Sequence, residues 1–499
     1  MAFIQSFPSY WVFGFGAVFL VSSLIALSRR QRVSVLDRFR FPRRRASGAS
    51  TPPRSISPGN TEKKAAPAAL DFVETFPPSL RSTLPQLAKS LPAVKKKILL
   101  SPEPAAGSFV KDLLPMTTSY MDTRSPKYTP TGLSTEEIIA LGDFPAYDIL
   151  TGVPNPSPFK EFNPLTAVTR PYRPLRWNYH QTMSLTKMEP DWWLEIDKTY
   201  PSMIAERQKL FRLHGNKVLD FLPGSELACK ELMEQCLLFY CHRFPLHFSL
   251  SKDRKIFTNN LLNTTTEIKS QPPLHILLNN VPEDFAIVLR NEVDGMYYMR
   301  AGVICSSLGW NVSTKLGLQL RDIHGSIPDY KEKMQFSMDR YFSKMPTNAP
   351  IQRGSWGLEV GCPLFMPPGD PHEKLREVQS PDLKIEDCNL RVDWQTLRRM
   401  PLSGAIVFNF TALFTPVTEF RDEPKIPALL IKILREGKRS LMEYKNTWHV
   451  EHMVLPALEE WAREQVEKGV VKADWEVATL DESPYFEGWE EKWRRAQGY

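Results

Sequence analysis

His324 and Arg353 are the two residues of this chain whose types and setting best suit chemistry at a bound cofactor. The histidine closes a predicted helix at IHGSIPDY. A turn, Gly325 to Tyr330, and a second short helix follow, and Arg353 then arrives on a strand-like run ending at Trp356. A helix-borne imidazole facing a strand-borne arginine can hold a haem iron on one side and polarise a ligand on the other. Each residue also has an ordinary role. A histidine in the last turn satisfies orphan carbonyls, and an arginine on a strand makes a surface ion pair. The residues alone favour those ordinary roles.

Other candidates are weaker. Asp393, Gln395, Arg398 and Arg399 gather polar groups ahead of the apolar run AIVFNF, where they suit cofactor carboxylates or a solvated loop. Arg398 is the member taken as a cofactor contact. Glu283 and Asp284 open a strand, a turn-capping position. His242 and His247 flank RFPLHF and suit a structural aromatic turn, and His275, His449 and His452 have no companions. Cys362 lacks the glycine-rich setting of a thiolate haem ligand. There is no GxGxxG after a strand, no P-loop, no HExxH, no GxSxG and no CxxCH. Flavin, nicotinamide and iron–sulfur binding within the chain therefore lack support.

The elements that must position these residues are an α+β set. Asp191 caps a helix through WWLEIDKTY, with Pro201 ending or kinking it before SMIAERQKLFRLHG continues to Gly215. A second helix runs from Ser225 to His242. Asp284–Arg290 and Tyr297–Ser307 flank an Asp294-Gly295 turn and form a hairpin. A helix from Ser313 to His324 carries Leu316, Leu320 and Ile323 on one face. Gly354–Val360 and Ala405–Phe414 are further strands. Helices return at Lys425–Tyr444 and His449–Lys468, and an acidic, aromatic tail from Ala473 lies at the periphery. Helices, then a block of strands, then helices argue for one α+β domain.

The flanks differ from that domain. Residues 1–28 carry no charge, and Tyr10–Leu27 is just long enough to span a bilayer. Eight arginines follow between Arg29 and Arg45, so the reading is a retained transmembrane anchor with the body in the cytosol. That block accounts for the net charge of +7, which leaves no basic surface calling for nucleic acid. Residues 29–160 form a basic and then Pro/Ser-rich linker, 161–470 the folded domain, and 471–499 the tail. The six cysteines show no disulfide or metal spacing, as suits a reducing compartment. Asn263, Asn311 and Asn409 each open a glycosylation sequon, whose use would reverse that topology.

Taken in order, WWLEIDKTY, HRFP, VPEDFAIVL, AGVICSSLGWNVSTKLGLQLRDIHGSIPDY, MDRYF, RGSW, CPLF, LRVDWQTLRRMPLSGAIVF and MEYK resemble the haem-dependent oxidative N-demethylase α-subunit-like family, in its fungal, membrane-anchored branch. The resemblance implies a PAS-like antiparallel sheet with added helices that binds haem b. It implies oxidative removal of a methyl group from a small amine with dioxygen, with electrons from a separate flavin and iron–sulfur reductase. It implies a histidine iron ligand on a helix next to the sheet and a strand arginine that can stabilise bound dioxygen, roles that His324 and Arg353 match in kind. The chain departs from the family pattern at Trp394, where arginine is usual, and at Ser306-Ser307, where phenylalanine and proline are common. If those positions line the pocket, the substrate differs or catalysis is lost. A non-catalytic haem sensor or scaffold, and a tailoring oxidase of a larger metabolite, are the rival readings.

Overall fold

The computed structural model describes residues 133, 135–180, 182–291 and 295–499. The proposed anchor at 1–28, most of the linker and Asp294 of the hairpin turn lie outside these residues. Among the described residues no helix is long and apolar enough to cross a membrane.

The frame is a seven-stranded antiparallel sheet. Its strands are β1 (Thr186–Lys187), β2 (Leu219–Phe221), β6 (Asp284–Arg290), β7 (Tyr297–Val303), β8 (Ile351–Val360), β9 (Cys388–Arg399) and β10 (Ile406–Pro416). Their spatial order is β1-β8-β9-β10-β6-β7-β2. Strands β3 (Phe248–Leu250), β4 (Ile256–Asn259) and β5 (Thr264–Glu267) form a separate small meander. The predicted β6–β7 hairpin is present. The polar segment preceding AIVFNF is itself β9, the longest described strand, paired with β10 from Asn389 to Arg399. Its charged side chains hid it, because burial here depends on partners that a local pattern does not show.

The helices are α1 (Tyr200–His214), α2 (Glu226–Arg243), α3 (Pro273–Asn280), α4 (Leu320–Ile323), α5 (Gln335–Lys344), α6 (Ile426–Glu436), α7 (Arg439–Lys445) and α8 (Trp448–Glu467). Pro201 opens α1 instead of interrupting it, since a first-turn proline sacrifices no helical N–H bond. The expected helix from Ser313 to His324 is two single turns. Gly317, at φ 84°, breaks it and leaves Leu320–Ile323 as a separate turn that ends at His324.

Both faces of the sheet are buried. On one face α2 covers β6, β7 and β10, while α6 and α8 cover β8 and β9. Helix α8 repeats Val450, Val454, Leu458, Trp461 and Gln465 along its buried stripe. Burying each such aliphatic side chain contributes about 1.5–3 kcal/mol. Gly354 permits the chain at 172–174 to cross β8 on this side, where a Cβ would sit 2.7 Å from the Tyr172 ring. The other face carries Ile351, Leu397, Ile406, Phe408, Ala286 and Val288, under α4 and α5.

The domain begins before residue 161. Tyr147 Oη donates to Glu234 at 2.6 Å, and Lys230 pairs with Asp143 at 3.0 Å, so the stretch from 135 packs onto α2. The tail is integrated too. Phe486 is 1% exposed, and Arg173 N–H donates to Pro484 O at 2.6 Å. The acidic residues that made it read as peripheral lie among aromatic anchors.

Candidate functional site

A cavity of about 360 Å³ opens between the sheet and the layer of α4, α5, α7 and residues 174–185. That is within the range of about 300–1,000 Å³ usual for ligand pockets. Strand alternation decides its floor. Register pairs Arg353 with Gln395 and Ser355 with Asp393, and continues Gln395 to Phe410 and Leu397 to Phe408. These side chains line the cavity. Met299, Met338, Tyr341 and Phe342 close its apolar part.

His324 lies on the roof, on the turn after α4. Its Nδ1 is 2.6 Å from Leu320 O, and its ring stacks on Tyr330 at 5.3 Å. A carbonyl only accepts, so Nδ1 carries the proton and Nε2 keeps its lone pair. Nε2 has no partner among the described residues. Burial holds the His324 pKa down to about 4, against the help of the Leu320 carbonyl, so the ring is neutral at ordinary pH. A neutral, oriented imidazole with a free nitrogen is the state required of a metal ligand.

Arg353 lies on the floor and also faces the cavity. It has no hydrogen bond or ion pair among the described residues, and its Nε is buried. Arg176, Lys315 and Lys445 line the same cavity without carboxylate partners. Lys445 Nζ donates to Trp356 O at 2.6 Å and lies 4.4 Å from the Trp356 ring centroid. Lys315 Nζ donates to Ile323 O at 3.2 Å. The two cavity carboxylates are already engaged. Asp393 pairs with Arg391 at 2.9 Å and Asp284 with Arg207 at 2.5 Å. The cavity therefore holds uncompensated positive charge.

His324 and Arg353 are thus brought together in one cavity, and Arg398 is not. The alternation that turns Arg391, Asp393, Gln395 and Leu397 to the cavity turns Arg398 to the opposite face. There its guanidinium stacks 3.9 Å from the Trp193 ring centroid, beside a separate small pocket. The cofactor contact expected of Arg398 cannot be made to the cavity that His324 lines. Trp394 also faces away. It is 1% exposed and donates from Nε1 to Gln352 at 3.1 Å. Ser306 and Ser307 do line the cavity. The Ser306 amide and hydroxyl donate to Asp284 at 2.8 and 2.5 Å, and Ser307 Oγ donates to Trp310 O at 2.6 Å. Asp284 therefore braces the cavity wall, with Arg207 and the Cys305 amide as further donors.

Several candidates fall away. Cys362 is exposed and lies outside the cavity lining, and His242, His247, His275, His449 and His452 lie outside it too. Glu283 is buried and accepts from the Glu195 amide at 2.8 Å. Asn409 and Asn311 are 0% and 4% exposed, so a glycan on either would require the fold to open. Among the described residues no group of three or more His, Cys, Asp or Glu is placed to hold a metal by itself. A lone histidine ligand is compatible with a metal held mainly by its own macrocycle.

Sequence reasoning missed Lys445, Arg176 and Lys315. Each sits beside aromatic or apolar residues where a lysine or arginine reads as a helix-end or surface charge. The late MEYK segment was the one signal for Lys445. Residues 184–455 match the family described as haem-dependent oxidative N-demethylase, alpha subunit-like. The match contains His324, Arg353 and Lys445.

Proposed function

The chain belongs to the haem-dependent oxidative N-demethylase, alpha subunit-like family, and from that premise we propose a haem oxidoreductase whose cofactor occupies the cavity between α4 and the sheet. The carrying observation is the neutral imidazole of His324 directed into a cavity that also holds unpaired cations. Three features fit a haem b with its two carboxylates. His324 Nε2 is free to ligate iron. The apolar walls at Phe408, Phe410, Met338 and Phe342 suit a macrocycle. Arg353, Arg176 and Lys445 have charge to offer carboxylates.

Bound haem would supply one-electron and dioxygen chemistry. His324 holds its position through the Leu320 carbonyl and the Tyr330 stack. Arg353 presents N–H donors to negative charge developing in the cavity, in a setting with little water to screen it. The proposed reaction is oxidative removal of a methyl group from an amine. A separate flavin and iron–sulfur reductase would deliver the electrons. A PAS-like description of the sheet and the anchored, fungal-type branch belong to the same proposal. Attachment to a membrane rests on the uncharged run at 1–28 and the arginines after it. A second reading is a larger metabolite substrate, favoured by the small Ser306 and Ser307 on the cavity wall.

The full-length chain purified from haem-replete cells should show a Soret band that His324→Ala shifts or abolishes. A colourless protein, or an unchanged band in that variant, would sink the assignment. Amine-dependent oxygen consumption with a flavin and iron–sulfur reductase separates an oxidase from a sensor. Extraction by alkaline carbonate would count against the anchor.

A further inference from the structure

One end of the cavity gathers like charges from three elements. Arg176 comes from the segment before β1, Arg353 from β8 and Lys445 from the end of α7. None of the three has a carboxylate within salt-bridge distance among the described residues. Arg353 lies close enough to disfavour the charge on Lys445, and Arg176 does the same to Arg353. Three neighbouring cations in a confined space repel one another and are costly to desolvate. Lys445 Nζ has three donors, and one protein acceptor is seen for it, Trp356 O. The remaining faces of that ammonium meet the Trp356 and Tyr179 rings, at 4.4 and 5.4 Å from their centroids.

We propose that Arg176, Arg353 and Lys445 form a carboxylate-binding site, and that binding there is accompanied by uptake of a proton on Lys445 Nζ. The charged and titratable groups acting on Lys445 are Asp393 on β9, Arg353 on β8 and the Tyr179 ring on the preceding segment, and Arg391, Arg176 and Tyr444 line the same cavity. Asp393 is the one acid in that set, and it is shared with Arg391 at 2.9 Å. Burial, with Asp393 opposing and Arg353 adding to it, brings the Lys445 pKa down to about 7. A carboxylate arriving between Lys445 and Arg353 supplies the missing counter-charge and favours the ammonium. No covalent bond changes: Lys445 takes its proton from solvent. The carboxylate has two possible sources, a propionate arm of haem or an acid group on the substrate.

The test is titration calorimetry of the full-length chain, stripped of haem, with glutarate, in buffers of different ionisation enthalpy. At pH 7 the expected uptake is about half a proton per glutarate, rising towards about one at pH 9 and falling towards zero at pH 5. Lys445→Arg should bind without proton uptake, because arginine stays charged. Lys445→Met should bind at least about tenfold more weakly. Absence of glutarate binding, binding without proton exchange, or an unaffected Lys445→Met variant overturns the proposal. Haem that displaces glutarate assigns the site to the cofactor's carboxylates. Equal binding to the haem-loaded chain assigns it to a substrate carboxylate. Glutarate binding with proton uptake in a chain that takes up no haem would leave this site standing and remove the haem reading instead.

Discussion

Arg173 and Arg353 lie on opposite sides of the same sheet and differ in one respect. Arg173, beneath the α6–α8 layer, is closed by Glu423 through two charge-assisted bonds of 2.7 and 2.6 Å, and both side chains are almost fully buried. Thr415 accepts a further bond at 3.1 Å. Arg399 is closed as completely, by Met345 O, Gly404 O, Phe342 O and the Tyr297 hydroxyl. Arg353, in the cavity, has no such partner. The donors of Arg173 and Arg399 are met inside the chain, as those of most buried polar groups that serve a fold are. A guanidinium whose donors face a cavity unmet is arranged for something that comes from outside.

Substitutions on the two sides should therefore give opposite results. The largest loss is expected from Arg173→Met, which strands Glu423 in the core. Urea unfolding should show about 3–5 kcal/mol of destabilisation, softened by Lys492, which reaches Glu423 at 2.8 Å. A loss under about 1 kcal/mol would mean that the pair is not what closes this layer. On the cavity side, Ser306→Ala removes a hydroxyl bond to a buried carboxylate and should cost about 1.5–3 kcal/mol, measured the same way. Its ligand affinity should change as well, since Ser306 lines the cavity.

Trp394→Phe tests the face of β9 turned away from the cavity. It removes one neutral hydrogen bond to Gln352 and should cost about 1 kcal/mol with no change in any bound cofactor's spectrum. A spectral change would break the division between faces. The smallest stability effect belongs to Arg353→Met, expected within about 1 kcal/mol of the unmodified chain because no internal partner is left behind. The same variant should weaken carboxylate and haem binding, which equilibrium titration reports.

The pH behaviour sharpens the contrast further. His324 is held at about 4 in the fold, below the about 6.5 of an unfolded histidine. The unfolded chain therefore binds more protons between those values. The stabilising contribution is present above about pH 6.5 and is lost as pH falls through about 4. A His324→Gln variant should show a flatter stability profile across that window, and an unchanged profile would refute the assignment.

Much of this fold was legible in the residues. The β6–β7 hairpin, β8, β10, α2 and α8 all follow from runs of apolar periodicity bounded by turn residues. Strand β9 was not, because Arg391, Asp393, Gln395 and Arg399 look like a solvated segment until their partners are seen. The break at Gly317 was also hidden, since an isolated glycine in a helical pattern is often tolerated. The tail misled for a similar reason. Its charges face solvent, while Phe486 and Leu480 carry the packing.

By itself the sequence determined the residue types available for chemistry, the strand that carries Arg353, and family membership through an ordered series of motifs. Those are properties of local pattern and of type along the chain. Tertiary structure alone decided which side chains share the cavity. A strand reverses direction of display at each residue, so Asp393 and Gln395 face the cavity while Trp394 and Arg398 do not. Lys445 joins them from the end of a helix far along the chain. That assembly depends on register and on how α7 packs, and no local spacing encodes either.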